Sequence, residues 1–200
     1  MRIADIVHKP VGLARLLVNR YRFGAFGRSS RISKPDKIEG SRSIFIGRNV
    51  GIYSGCWLAA RPLTGAAECS IVIEDGVRIG RFAHIYATEK IHISKNALIA
   101  DKVYIADNQH CYSNPNVPVI AQGVIQKKPV SIGEGCWIGE NVCVIGASVG
   151  AHSVVGANSV VTSDIPDYCV AVGAPARIVK RYDFETENWR RTDSKGDFIK

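Results

Sequence analysis

The run Asp107-Asn108-Gln109-His110-Cys111 gathers, in five consecutive positions, side chains able to move a proton or attack an electrophile. An imidazole titrates near neutrality and serves as general base or acid. The carboxylate and amide just before it could orient the ring, although Asp and Asn are equally common turn formers. Cys111 beside His110 would suggest a nucleophile and its base, but neighbours on an extended chain point to opposite sides. His110 is the stronger candidate. The six cysteines are scattered without a CxxC pair, which indicates neither a structural zinc site nor a disulfide framework. They read as reduced thiols of a cytoplasmic protein.

The elements that must position this run follow a six-residue period. Aliphatic residues recur as Ile46, Ile52, Leu58; Ile73, Ile79, Ile85; Ile93, Ile99, Ile105; Ile132, Ile138, Val144; and Val149, Val155, Val161. A helix would repeat every 3.6 residues and a half-buried strand every 2, so sustained sixes require short strands joined by regular bends. Three steps close a triangle, each aliphatic pointing inward and stacking on its counterpart in the next coil. Three residues after the aliphatic stand Asn49, Gly55, Gly76, Asn96, Gly135, Asn141 and Asn158, types that tolerate the left-handed backbone of a tight corner. The spacing predicts an all-β solenoid of about five coils over residues 41–181.

Residues 59–70, two extra residues near Glu89 and Lys90, and residues 106–130 interrupt the period, and a five-residue step separates Val144 from Val149. Insertions in solenoids map to outward loops, and one as long as 106–130 marks function. His110 lies on it. Before the solenoid, Ile3, Ile6, Val7, Leu13, Leu16 and Leu17 recur at helical spacing, which predicts short helices in an arm over residues 1–40. Residues 182–200 read as a polar tail, irregular or weakly helical.

A formal charge of +8 on 200 residues invites a nucleic-acid reading. Residues 1–48 hold eleven Lys/Arg against three Asp/Glu, whereas residues 49–200 hold fifteen of each. With the excess confined to the arm and no stacking aromatics or reading module, nucleic-acid binding is not expected. Attraction of the arm to an anionic membrane, at its inner face, or to a polyanionic acceptor is the sharper expectation. The apolar stretch Val11–Val18 is broken by Arg15 and too short to cross a bilayer, and no cleavable signal is read.

The segment Ile132-Gly-Glu-Gly-Cys-Trp-Ile-Gly-Glu-Asn-Val142, then Val155-Gly-Ala-Asn-Ser-Val-Val-Thr162 and Gly173-Ala-Pro-Ala-Arg177, strongly resembles the hexapeptide-repeat acyltransferases. Among these it is most similar to the maltose, galactoside and nodulation-factor O-acetyltransferases and their polysaccharide and O-antigen relatives. The resemblance spans residues 40–181. It implies a left-handed parallel β-helix, a homotrimer with active sites between subunits, acetyl-CoA as donor, a sugar hydroxyl as acceptor and no metal. It also implies that His110 is the catalytic base; Asp107 and Asn108, by their chemistry, would orient its imidazole or bind sugar hydroxyls. For the donor it implies Trp137 beside the thioester tunnel, small late-coil residues Ala147, Ala157 and Thr162 along the pantetheine, and Arg177 and Lys180 toward the phosphates. Where the family often carries a lysine after that threonine, this chain has Ser163.

The register itself places outward residues one position before each inward aliphatic. Trp57, His84, Tyr104, Cys143 and Val160 should form one column, and Arg78, Leu98 and Trp137 another. Aromatics on a solenoid's outside indicate a subunit contact or a substrate wall, and His84 is a candidate for the acceptor site. Three alternatives remain open: amino-sugar N-acetylation, a non-catalytic scaffold, and a zinc hydratase of the kind built on the same solenoid. The last needs a third histidine where Pro115 stands.

Overall fold

A computed structural model describes residues 13–199 of the chain. The positions Ile3, Ile6 and Val7 lie outside them, and the described part of the arm holds one helix, Leu13–Arg22. Beyond it the chain winds as a left-handed triangular parallel β-helix. One face stacks five short strands, from Ala25–Phe26 to Val130–Ile132. A second runs from Arg31–Ile32 to Cys169–Gly173, and a third stacks six strands from Lys37–Glu39 to Val160–Val161.

All fifteen aliphatic positions of the six-residue period point inward, none more than 2% exposed. Their stacking follows the ladder register: Ile46 opposes Ile73, Ile73 opposes Ile93, and Ile93 opposes Ile132. Apolar side chains on every face thus bury one another coil upon coil, and no single coil holds a core of its own.

The first turn of the helix, residues 25–39, falls inside the segment that charge alone assigns to the arm. Phe26, Ile32 and Ile38 keep the six-residue step and oppose Ile46, Ile52 and Leu58. Cations at the outward positions Arg31 and Lys37 disguise the repeat, because composition averages over faces that the fold separates. Phe23 closes this end, 1% exposed, its ring 5.6 Å from that of Phe26.

The other end is closed by a different device. Strand Cys169–Gly173 is followed by Ala176–Asp183 and Asn188–Arg191, which pair antiparallel in succession. The tail read as irregular is therefore a β-hairpin. Sequence reasoning missed it because its outer strand is exposed throughout and carries no apolar alternation to detect. The short step after Val144 also has a visible consequence: Gly146 turns with φ 56, and Val149 keeps only isolated bridges to Ile132 and Ile165.

All seven predicted corner residues adopt positive φ, from 54 at Asn49 to 77 at Gly76. So do Phe82, Lys102, His152 and Tyr168, which occupy the same step with side chains ill suited to it. The stack dictates the corner whatever residue stands there. Because a left-handed conformation costs a residue with a Cβ about 1–2 kcal/mol, Lys102→Asn is expected to raise stability by up to about 1 kcal/mol. The exposed ion pair from Lys102 to Glu140 offsets little of this. Ile85→Ala is expected to lower stability by about 2–5 kcal/mol, and thermal unfolding of both variants checks the pair of opposite shifts.

Candidate active site

After third-face strand Tyr104–Ala106 the chain leaves the solenoid as a two-stranded antiparallel ribbon. Asn108–His110 pairs with Val124–Gln126, setting Asn108 opposite Gln126 and His110 opposite Val124. The tip is folded by the Gln122 amide, which donates to the carbonyls of Asn114 and Val117 at 2.9 and 2.7 Å and accepts from the Asn114 N–H. Cys111 belongs to this tip: its thiol lies 3.3 Å from the Ser113 hydroxyl, which lowers its pKa. His110 is exposed.

The ribbon's root is held by Asp107, which is fully buried. One carboxylate oxygen accepts from the Thr88 N–H at 2.7 Å, and the other from the N–H groups of Glu89 and Lys90 at 2.8 Å each. The carboxylate thus supplies acceptors for three successive amides where the period is interrupted at Glu89 and Lys90. Asp107 is thus an anchor whose oxygens are occupied, rather than a group facing an acceptor. Asn108, nearly as buried, donates to the Tyr86 carbonyl and to Asp107, both at 3.0 Å.

Gln126 completes the root. Its amide nitrogen donates to the Asp107 and Lys127 carbonyls at 2.8 and 3.0 Å. Its oxygen accepts from Thr64 in the 59–70 insertion and lies 2.8 Å from the Thr88 hydroxyl. That hydroxyl is also 3.0 Å from Asp107, so its single proton serves one of the two at a time. The three interruptions of the repeat meet here. Nothing in the spacing announces Gln126, Thr88 or Thr64; the only signal is that interruptions fall in neighbouring coils.

On the third outer face the predicted column is realised: Trp57 opposes His84, His84 opposes Tyr104, Tyr104 opposes Cys143 and Cys143 opposes Val160. The His84 ring stacks on Trp57 at 4.3 Å and 9°. Trp57 donates from Nε1 to Glu39 at 2.9 Å, and the Lys37 ammonium sits 4.9 Å from the Trp57 ring. Burial holds the His84 pKa below its ordinary value, against the pull of Glu39, and its Nε2 is buried without a partner among the described residues. No contact joins it to His110. Its link to the ribbon is indirect, through Tyr86, whose ring it meets edge-on at 6.0 Å and whose carbonyl receives Asn108.

On the second outer face, Arg78, Leu98 and Trp137 share a column as expected. The column continues through Val154, Val170 and Lys180, about 14 Å from Trp137 to Lys180 at the usual strand spacing. Trp137 is 52% exposed. Ala157, Thr162 and Arg177 are exposed, with Arg177 beside Val172 on the return strand. Ala147 differs: its methyl lies in the core at 1% exposure, because the short step after Val144 turns it inward, so its side chain lines no outer groove. Among the described residues no group of three or more His, Cys, Asp or Glu is placed to hold a metal ion.

Residues 129–163 match the family profile described as the hexapeptide repeat of succinyl-transferase. Over 189 residues, 90% of this chain and 93% of the relative, the sequence is 35% identical to the putative lipopolysaccharide biosynthesis O-acetyl transferase WbbJ of Escherichia coli. The chain belongs to the hexapeptide-repeat acyltransferases. Galactoside O-acetyltransferase of Escherichia coli is 32% identical over 106 residues, about half of each chain. Among solved structures, this acyltransferase shares its fold with the N-acyltransferase AntD of Bacillus cereus, with a TM-score of 0.68, 22% identity, and 85% and 90% of the two chains covered. A hexapeptide-repeat acetyltransferase of Vibrio cholerae, complexed with acetyl coenzyme A, has a TM-score of 0.56 at 26% identity, covering 85% and 77%.

Two outcomes follow for the site's supports. Asp107→Ala strands three backbone N–H groups and is expected to cost on the order of 2–4 kcal/mol, with hydrogen-exchange protection lost first in residues 88–90 and 107–127. The folded His84 resists a proton that the unfolded chain accepts below its ordinary value of about 6.5. Stability therefore falls as pH drops through that value until the folded imidazole itself titrates. His84→Phe keeps the ring stack and is expected to flatten that acid slope, read as melting temperature against pH.

Proposed function

We propose that this acyltransferase moves an acetyl group from acetyl-CoA to a sugar hydroxyl in surface-polysaccharide or glycoconjugate synthesis, with His110 as general base. The observation that carries the reading is the ribbon: the solenoid departs from its repeat to hold an exposed histidine on a root with its polar groups satisfied. Similarity over 189 residues to a lipopolysaccharide O-acetyl transferase supports the substrate class.

A neutral hydroxyl is a poor nucleophile and its alkoxide is scarce near neutral pH. His110 takes the hydroxyl proton as the oxygen forms its bond to the thioester carbonyl carbon. The carbon–sulfur bond then breaks, and the same imidazole returns the proton to the departing thiolate. For the donor, the stripe Trp137–Val154–Val170 supplies an apolar wall ending at Lys180, with Arg177, Ala157 and Thr162 near it. That order suits a pantetheine arm terminated by phosphates. The stripe and the ribbon belong to different faces of one chain, which supports a site completed between adjacent subunits of a trimer. His84 and Asn108 lie toward the acceptor, Asn108 by shaping the root. The positive excess in residues 1–48 supports an acceptor at the inner face of an anionic membrane, met by a cytoplasmic enzyme through its arm; among the described residues no helix is long and apolar enough to cross one.

His110→Ala is expected to lower kcat about 10²–10⁴-fold with the KM for acetyl-CoA little changed, measured as thiol release with a panel of glycosides and amino sugars. Undiminished transfer would remove the base assignment, and transfer only to amino groups would replace the hydroxyl acceptor.

A further inference from the structure

Beyond the last coil lies an open cleft of about 580 Å³, lined by Asp167 and Tyr168 of the last corner and by Arg181, Tyr182, Phe184 and Phe198 of the closing C-terminal segment. This is the scale of small-molecule sites. None of its lining residues comes from the ribbon over residues 106–130 or from the stripe that starts at Trp137. Lys180 ends that stripe, and neighbours on a strand face opposite ways, so Arg181 turns away from it, opposite Cys169.

The walls are held by groups behind them. The Tyr182 N–H donates to the Tyr168 carbonyl at 2.9 Å and ties the hairpin to the corner. A bridge to Thr192 returns Phe198 to the hairpin, where the Arg190 guanidinium lies 4.7 Å from its ring centre. Arg190 is fixed in turn by Asp183 at 2.7 Å. The cleft therefore has the supporting contacts that a recognition site requires.

The aromatic geometry selects among ligands. Phe184 is 64% exposed and meets Tyr168 and Tyr182 at 81° and 79°, with centroids 4.9 and 5.1 Å apart. The near-parallel pair, His152 and Tyr168, is closed on itself at 5.2 Å and 19° and leaves no slot for a flat base. Angled ring faces suit a puckered pyranose, whose C–H bonds turn their positive ends to the electron-rich faces. Among the described residues, the Arg181 guanidinium and the hydroxyls of Tyr168 and Tyr182 enter no hydrogen bond or ion pair. The Asp167 carboxylate uses one oxygen, accepting from the Ala151 N–H at 2.7 Å. These groups supply donors and acceptors for sugar hydroxyls. One free guanidinium in a cleft that also holds a carboxylate gives a phosphate or uronate no cationic excess, and the same charges disfavour a hydrocarbon tail.

We propose that this cleft is a second carbohydrate site, separate from the catalytic ribbon, that holds a neutral pyranose segment of the glycan being modified. Holding the chain at a second point raises its effective concentration at the ribbon. The choice of a glycan rests on the sugar-acceptor reading, but binding can be read without catalysis. The chain has three tryptophans, and Trp189 alone belongs to the hairpin, 5.5 Å from Tyr182. In fluorine NMR of the full-length protein labelled with 5-fluorotryptophan, maltotetraose is expected to move the Trp189 resonance and thymidine monophosphate to leave it in place. Phe184→Ala and Arg181→Gln, both at exposed positions, are each expected to raise the Kd read from that resonance about tenfold. His110→Ala is expected to leave it unchanged, and acetyl transfer to a monosaccharide glycoside is expected to match the wild type in both cleft variants. An unmoved Trp189, a Kd unchanged in both cleft variants, an equal response to the nucleotide, or monosaccharide transfer lost in the folded variants would overturn the second site. Acetyl transfer to sugars without any Trp189 response would sink the site and keep the reaction. A Trp189 response weakened by both variants in a protein that transfers no acetyl group would keep the site and sink the reaction.

Discussion

Among the described residues, the inward side chains of the inner coils are buried by the coil above and the coil below, and that mutual dependence governs the rest. A strand of two residues is far too short to be stable alone. Stacked in register with four to six others, it belongs to a continuous, mainly aliphatic column with almost no exposed surface. The column fixes the length of each side of the triangle and so the place of each corner. It forces Phe82, Lys102, His152 and Tyr168 into left-handed backbone, a local cost that the shared core offsets.

The same constraint explains where chemistry can be placed. A coil cannot be widened without breaking the columns, so extra residues must leave at an end of a strand and return to the same register. Ala106 leads out and Val130 leads back, and both remain buried in their columns. The excursion is a ribbon because two extended segments satisfy each other's backbone groups away from the sheet. What it lacks is a foundation. Asp107 supplies that by accepting from the amides of residues 88–90, while Gln126 ties in the first insertion. Three departures from the repeat become one assembly, with His110 on it.

The two outer columns divide the remaining chemistry. One is aromatic and closely stacked, with Trp57 spanned between Lys37, Glu39 and His84, and its half-buried imidazole favours the neutral form. The other is an exposed apolar stripe ending in cations on the closing hairpin. Their difference arises from the side chains at a single repeat position, read down two faces of the same coil.

The six-residue spacing determined by itself the solenoid, the inward positions, seven left-handed corners and both outward columns, because each follows from a period that the stack leaves no freedom to alter. It also located His110 on an excursion. The first turn and the C-terminal hairpin escaped notice, the one masked by outward cations and the other lacking apolar alternation. The Ala147 methyl faces the core because a five-residue step shifts which side chain points inward. Only the tertiary structure decided that Asp107 is an anchor, that Gln126, Thr88 and Thr64 join it, and that insertions some sixty residues apart in sequence, Thr64 and Gln126, meet at one root. Those relations run between coils through individual hydrogen bonds, and a hydrogen bond across a fold leaves no periodic trace in the chain that makes it.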